Sequence, residues 1–198
     1  MADKCAMVDK RPAVPTSHVF LFFAILVFGV AADLTTKAVV FHRLGAPNPF
    51  VVQNQLYWVW PGVFGFETSL NEGALFGFGQ GFWIVFAVAS VVASLVVLSW
   101  VFLYGAIRDR LLTIALSCIL AGILGNLYDR LGIPGLRWSF ANDLHNIGNP
   151  VHAVRDWILV MLGSYHWPNF NIADSLLVVG ASLLMFHALY RSGSSVAQ

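Results

Sequence analysis

The stretch NIADSLLVVGASLLMFHALY, residues 171–190, decides the fold. Beyond Ser175 it is apolar enough to enter a bilayer, yet Asn171 and Asp174 stand at its mouth, where leucine would cost nothing. A helix needs about 20 mainly apolar residues to cross roughly 30 Å of hydrocarbon. Working back along the chain, that length recurs, giving four spans at about 19–42, 81–105, 111–129 and 173–190. Composition agrees, since 58% of the 198 residues are hydrophobic and only 11% are charged. We therefore expect an α-helical integral membrane protein with four transmembrane helices.

The first span, VFLFFAILVFGVAADLTTKAVVF, has charges at its far end and no small-x-small cleavage site, so it reads as a retained helix. Cys5 and Cys118 fall on different elements and give no disulfide framework. A formal charge of +1 without a basic tract argues against nucleic acid as a partner.

Lys and Arg set the orientation, because short basic segments stay on the cytoplasmic side. Lys4, Lys10, Arg11, Arg108, Arg110 and Arg191 fall on one side; Arg43, Arg130, Arg137 and Arg155 fall on the other. The bias predicts cytoplasmic termini: an N-terminal segment over 1–18, a four-span domain over 19–190 and a tail over 191–198. The long connections 43–80 and 130–172 then lie outside. In the first, QLYWVWPGVFGFETSL carries two β-favouring runs around a Pro-Gly turn, which predicts a small hairpin or sheet. Tyr57, Trp58, Trp60, Trp138, Trp157 and Trp167 suit an aromatic belt at the interface.

An ionisable side chain at the bilayer centre costs about 2.5–3.5 kcal/mol on insertion scales, so each one asks for a reason. Asp33 and Lys37 share one helical face four residues apart. Asn126, Asp129 and Arg130 close the third span, and Asn171 and Asp174 repeat the Asn-x-x-Asp spacing at the fourth. Asn71 and Asp156 lie in the two long connections. All gather at one end of the bundle, Asp33 deepest at roughly 14 Å below its helix end. Each also has an ordinary reading: Asn171 as a helix cap, Asp174 as a dipole partner, Asp33 with Lys37 as a structural pair.

DLTTK (33–37), NEGALFGFG (71–79), GNLYDRL (125–131), VRDWI (154–158) and FNIADS (170–175) together resemble the lipoprotein signal peptidases, or signal peptidase II, in order and in placement. The resemblance implies a monomeric aspartic peptidase of the bacterial inner membrane, with an extracytoplasmic β-cradle and loop subdomain. Its implied partners are the lipid bilayer and prolipoproteins, cut before a diacylglyceryl-bearing cysteine on the periplasmic side. It implies Asp156 and Asp174 as the catalytic pair, supported by Asp33, Lys37, Asn71, Asn126, Asp129, Arg130 and Asn171, with no cofactor or metal. Residues 131–153 look like an insertion before the first catalytic aspartate and offer a competing carboxylate, Asp143.

Two carboxyls suit metal-free peptide hydrolysis, because one can deprotonate a water while the other delivers a proton. Held close, they share a single proton. Asp156 is expected on the loop before the fourth span, with GSYHWPNF folding back to bring it to Asp174. Gly73, Gly77 and Gly79 beside Asn71 permit a close backbone approach or a moving loop. Three rivals compete: a Ser–Lys peptidase using Lys37 with Ser175 or Ser69, a proton or ion pathway, and a metal site from Asp143, His145, His152 and His166.

Overall fold

The computed structural model describes residues 13–50, 56–73 and 79–195, with side chains to Tyr190. The expectations for Lys4, Cys5, Lys10, Arg11, Gly77 and the last residues of the tail fall outside that range. Four helices are long and apolar enough to cross a membrane. They are α1 (Thr16–Leu44), α2 (Trp83–Phe102), α3 (Arg110–Arg130) and α4 (Ile172–Ser195). α3 is the hub, with 72% of its most apolar window buried against 22% in α2 and less in α1 and α4. The outer helices turn Phe28, Val88, Val92, Val178 and Phe186 outward, as a lipid-facing surface requires.

Small residues let the helices close up, because lipid supplies no hydrophobic drive between them. A Cβ at Gly122 would stand 2.5 Å from the Ala173 carbonyl, and one at Gly180 would stand 2.7 Å from that of Ala115. Larger residues at either position would force α3 and α4 apart. Asp109 caps the start of α3 by accepting from the Leu111 and Leu112 amides at 2.8 and 3.0 Å.

At the other end of the bundle sits a four-stranded antiparallel sheet in the order β1–β2–β3–β4. Strands β1 (Leu56–Trp60) and β2 (Phe64–Asn71) form the expected hairpin, turning through Gly62 at φ 71°. β3 (Val154–Leu162) and β4 (Tyr165–Phe170) come from the second connection. Asp156 therefore stands on a strand rather than a loop, opposite Ser69, while Asn71 pairs with Val154. The VRDWILVML run is buried on both faces over its first six residues, so it lacks the alternation that marks a half-buried strand.

Phe66, Leu70, Trp157 and Ile158 of the sheet form one apolar cluster with Val40 and Phe41 of α1. Trp157 is therefore buried rather than part of an interfacial belt. So is Trp138, which forms a small core with Val151 and Ala153 and stacks on His145 at 3.6 Å. Tyr57, Trp60 and Trp167 remain exposed. The insertion thus folds on itself and against Leu70. His152 closes its far end by donating Nδ1–H to the Arg130 carbonyl at 3.0 Å, at the end of α3.

Candidate active site

The site is built where α1, α3, β3 and the start of α4 meet. Asn171 opens α4 with a reciprocal cap. Its Oδ1 accepts from the Asp174 amide at 2.9 Å, and Asp174 Oδ2 accepts from the Asn171 amide at 3.2 Å. The cap satisfies helix-end donors that lipid could not. It leaves the side-chain nitrogen of Asn171, Nδ2, free for other work. That nitrogen donates to Asp156 Oδ1 at 2.6 Å and to Asn126 Oδ1 at 3.2 Å. One asparagine therefore holds both carboxyls, one through its side chain and one through its backbone amide, so the capping and supporting readings of Asn171 are the same geometry.

Behind the pair lies a fully buried charge network. Lys37 Nζ pairs with Asp33 at 2.7 Å and Asp129 at 3.0 Å and donates to Asn126 Oδ1 at 3.1 Å. Asp129 also accepts from Arg155 twice, from Nε at 2.8 Å and from the backbone amide at 3.1 Å. Asp33 Oδ1 accepts from the Ala173 amide at 2.9 Å, tying α1 to the first turn of α4. Asp33 reaches between the helices because position 125 is glycine; a Cβ there would lie 2.5 Å from its Oδ2. Lys37 also fixes the Asn126 amide, whose Nδ2 donates to Asp174 Oδ1 at 2.8 Å.

The electrostatics differ between the two carboxyls of the pair. Burial, followed by the charge of Asp174, pushes Asp156 up to about 8 from 3.8, against the opposing pull of Asn171, Lys37 and Asn71. Asp174 is only partly buried. Arg130 stands over the Phe86 ring at 5.4 Å, within the field of both carboxyls, and makes no ion pair among the described residues. Four carboxyls thus face three cations, Lys37, Arg155 and Arg130, so one shared proton makes the cluster neutral.

The structure brings together Asp33, Lys37, Asn126, Asp129, Asn171, Asp156 and Asp174, with Asn71 beside Asp156 and Arg130 at the edge. Arg155 was missed as a supporting residue. Side chains alternate along a strand, so Arg155 and Asp156 had to face opposite ways, one toward Asp129 and one toward Asn171. Asp143 stays exposed in the insertion. His145, His152 and His166 go to separate partners, Trp138, Trp83 and Glu67, and among the described residues no three potential ligands cluster. Lys37 is paired with Asp33, Asp129 and Asn126, and Ser175 donates its hydroxyl to the Asn171 carbonyl at 3.1 Å, so the Ser–Lys arrangement is not formed.

Four spans, with a buried aspartate and a half-buried one bridged by Asn171 at one mouth, define a membrane protein with a polar site at one end of its helix bundle. Comparison with known proteins agrees. The family model described as signal peptidase (SPase) II matches residues 25–190. A protein of Rhodopirellula baltica named lipoprotein signal peptidase is 43% identical over 89% of this chain and 75% of its own length. One of the same name from Desulforapulum autotrophicum is 30% identical over 81% of this chain and 86% of its own. A solved bacterial membrane enzyme superposes with a TM-score of 0.71 at 23% identity, covering 89% of this chain and 92% of that one, which speaks for the fold. The chain belongs to the signal peptidase II family, a family of membrane peptidases, and is a multi-pass protein of the bacterial inner membrane.

Proposed function

We propose that this chain removes the signal peptide from diacylglyceryl-modified prolipoproteins, with Asp156 and Asp174 as its catalytic pair. The observation that carries the reading is the single residue Asn171 bonded to both carboxyls, to Asp156 through its side-chain amide and to Asp174 through its backbone amide. At rest the shared proton sits on Asp156, on Oδ2, because Oδ1 accepts from Asn171. Asp174 takes a proton from a water as its oxygen attacks the scissile carbonyl carbon, and Asp156 gives its proton to the carbonyl oxygen. The tetrahedral diol then collapses. The C–N bond breaks, the cysteine nitrogen takes the proton from Asp174, and a diol hydroxyl returns one to Asp156.

The remaining residues position this pair. Asn126 and Asn171 aim the carboxyls, and the Lys37 network holds Asn126. Arg130, with donors to spare, offers N–H groups to the substrate backbone near the cut. The signal helix lies among the apolar spans, and acyl chains against them contribute about 0.8 kcal/mol per buried methylene. The termini are cytoplasmic and the sheet end is periplasmic, a reading supported by Arg108 and Arg110 in the α2–α3 connection. A prolipoprotein cleavage assay tests the assignment. Asp156→Asn and Asp174→Asn each abolish cleavage while Asp143→Asn cleaves normally; near-full activity in either of the first two refutes the pair.

A further inference from the structure

An open cleft of about 510 Å³ begins at Asp156 and runs away from the helices across the sheet end of the molecule. Its walls come from β2 and the residue after it (Glu67, Thr68, Ser69, Asn71, Glu72), from Gln80 just before α2, and from His166 and Asn169 of β4. Leu70 and Pro168 are its apolar members. Such a lining suits neither a signal helix nor acyl chains, both of which lose by leaving hydrocarbon.

Two features mark the cleft as built for a peptide. First, Thr68 is 4% exposed, yet its hydroxyl has no hydrogen-bond partner, and the Asn169 side-chain oxygen is likewise buried and unpaired. Both line the cleft. Buried polar atoms are normally satisfied, and these two are a donor-acceptor and an acceptor suited to backbone N–H and C=O groups. Second, the charge is one-sided. Glu67 and Glu72 line the cleft, and none of its described lining residues is Lys or Arg. Asn169 and His166 hold Glu67 in place at 3.0 Å each, while Glu72 lies 3.8 Å from His145 of the insertion.

We propose that this cleft is the subsite for the first residues of the mature lipoprotein after the lipidated cysteine, and that Glu67 and Glu72 make it favour basic over acidic residues there. The proposal rests on the peptidase reading: with the cut made at Asp156 and Asp174, the only part of the substrate that must leave the membrane on the sheet side is the mature chain. The insertion then has a role in specificity, since its His145 faces Glu72.

The test uses purified protein and three synthetic diacylglyceryl-cysteine prolipopeptides, identical except for Ala-Ala, Lys-Lys or Asp-Asp at the two positions after the cysteine. The expected result is a kcat/KM about fivefold higher for Lys-Lys than for Asp-Asp, carried mainly by KM, the size that partly exposed charge pairs allow. In Glu67→Gln/Glu72→Gln that ratio falls toward one, and each single variant gives an intermediate ratio. Because the readout is a ratio within one enzyme preparation, partial misfolding does not mimic it. Cleavage of Ala-Ala with no Lys-over-Asp preference, or a preference that survives both glutamate changes, overturns the subsite and leaves the peptidase reading standing. Failure to cleave any of the three overturns both.

Discussion

Asp33 and Asp129 lie beside Asp156 and Asp174, and the two pairs are held in opposite ways. Asp33 and Asp129 are matched by Lys37 and Arg155 at 2.7–3.0 Å and are wholly buried. Asp156 and Asp174 are held by amides, from Asn171 and Asn126 at 2.6–3.2 Å. An ion pair fixes a carboxylate's charge and makes it structural. An amide positions a carboxyl without neutralising it, so its proton stays exchangeable. With Asp156 and Asp174 as the proposed catalytic pair, the same residue type serves as scaffold or catalyst according to whether its neighbour is a cation or an amide.

The comparison can be broken at either pair. Asp156→Asn or Asp174→Asn keeps the size of the side chain but removes a proton carrier; at Asp174, whose two oxygens both accept, it also gives up one hydrogen bond. Each lowers kcat by about 10⁴-fold with melting temperature in detergent little changed. Lys37→Met has the opposite signature. It leaves Asp33 and Asp129 buried with one cation fewer, which destabilises by about 3–5 kcal/mol in reversible unfolding. Adding Asp33→Leu to Lys37→Met restores part of that loss; a double variant less stable than the single one contradicts a matched pair. Asn126→Ala joins the two regions. It removes the Asp174 contact and one Lys37 acceptor, so kcat falls by about 10–100-fold while KM holds.

The smallest effect is on pH. Activity drops to half near pH 8, as Asp156 loses the proton the mechanism needs. The sign for stability follows from the same shift. Between 3.8 and about 8 the folded protein keeps a proton on Asp156 that the unfolded chain has released, so stability falls as pH rises through this window. Unfolding of Asp156→Asn shows a flatter pH dependence there; an unchanged slope removes Asp156 as its source.

The spans and the polar residues at one end of them were legible because both rest on local chemistry: unbroken apolar length, and the cost of a charge in hydrocarbon. The β1–β2 hairpin was legible for its Pro-Gly turn between β-favouring runs. β3 and β4 were not, since VRDWILVML is buried on both faces and reads alike as strand, core or loop. Trp138 and Trp157 were placed at the interface by type, whereas packing under the insertion and against α1 buries them.

The site divides along the same line. Sequence by itself determined which residues carry charge, which of them share a helix face, and that a carboxylate at the mouth of α4 needed a purpose. It did not determine partners. Arg155 joins Asp129 and Asn171 joins Asp156 only because strand alternation and the β3–β4 hairpin deliver them there from other elements. That pairing is a property of distances between elements, and distance is what tertiary packing alone sets.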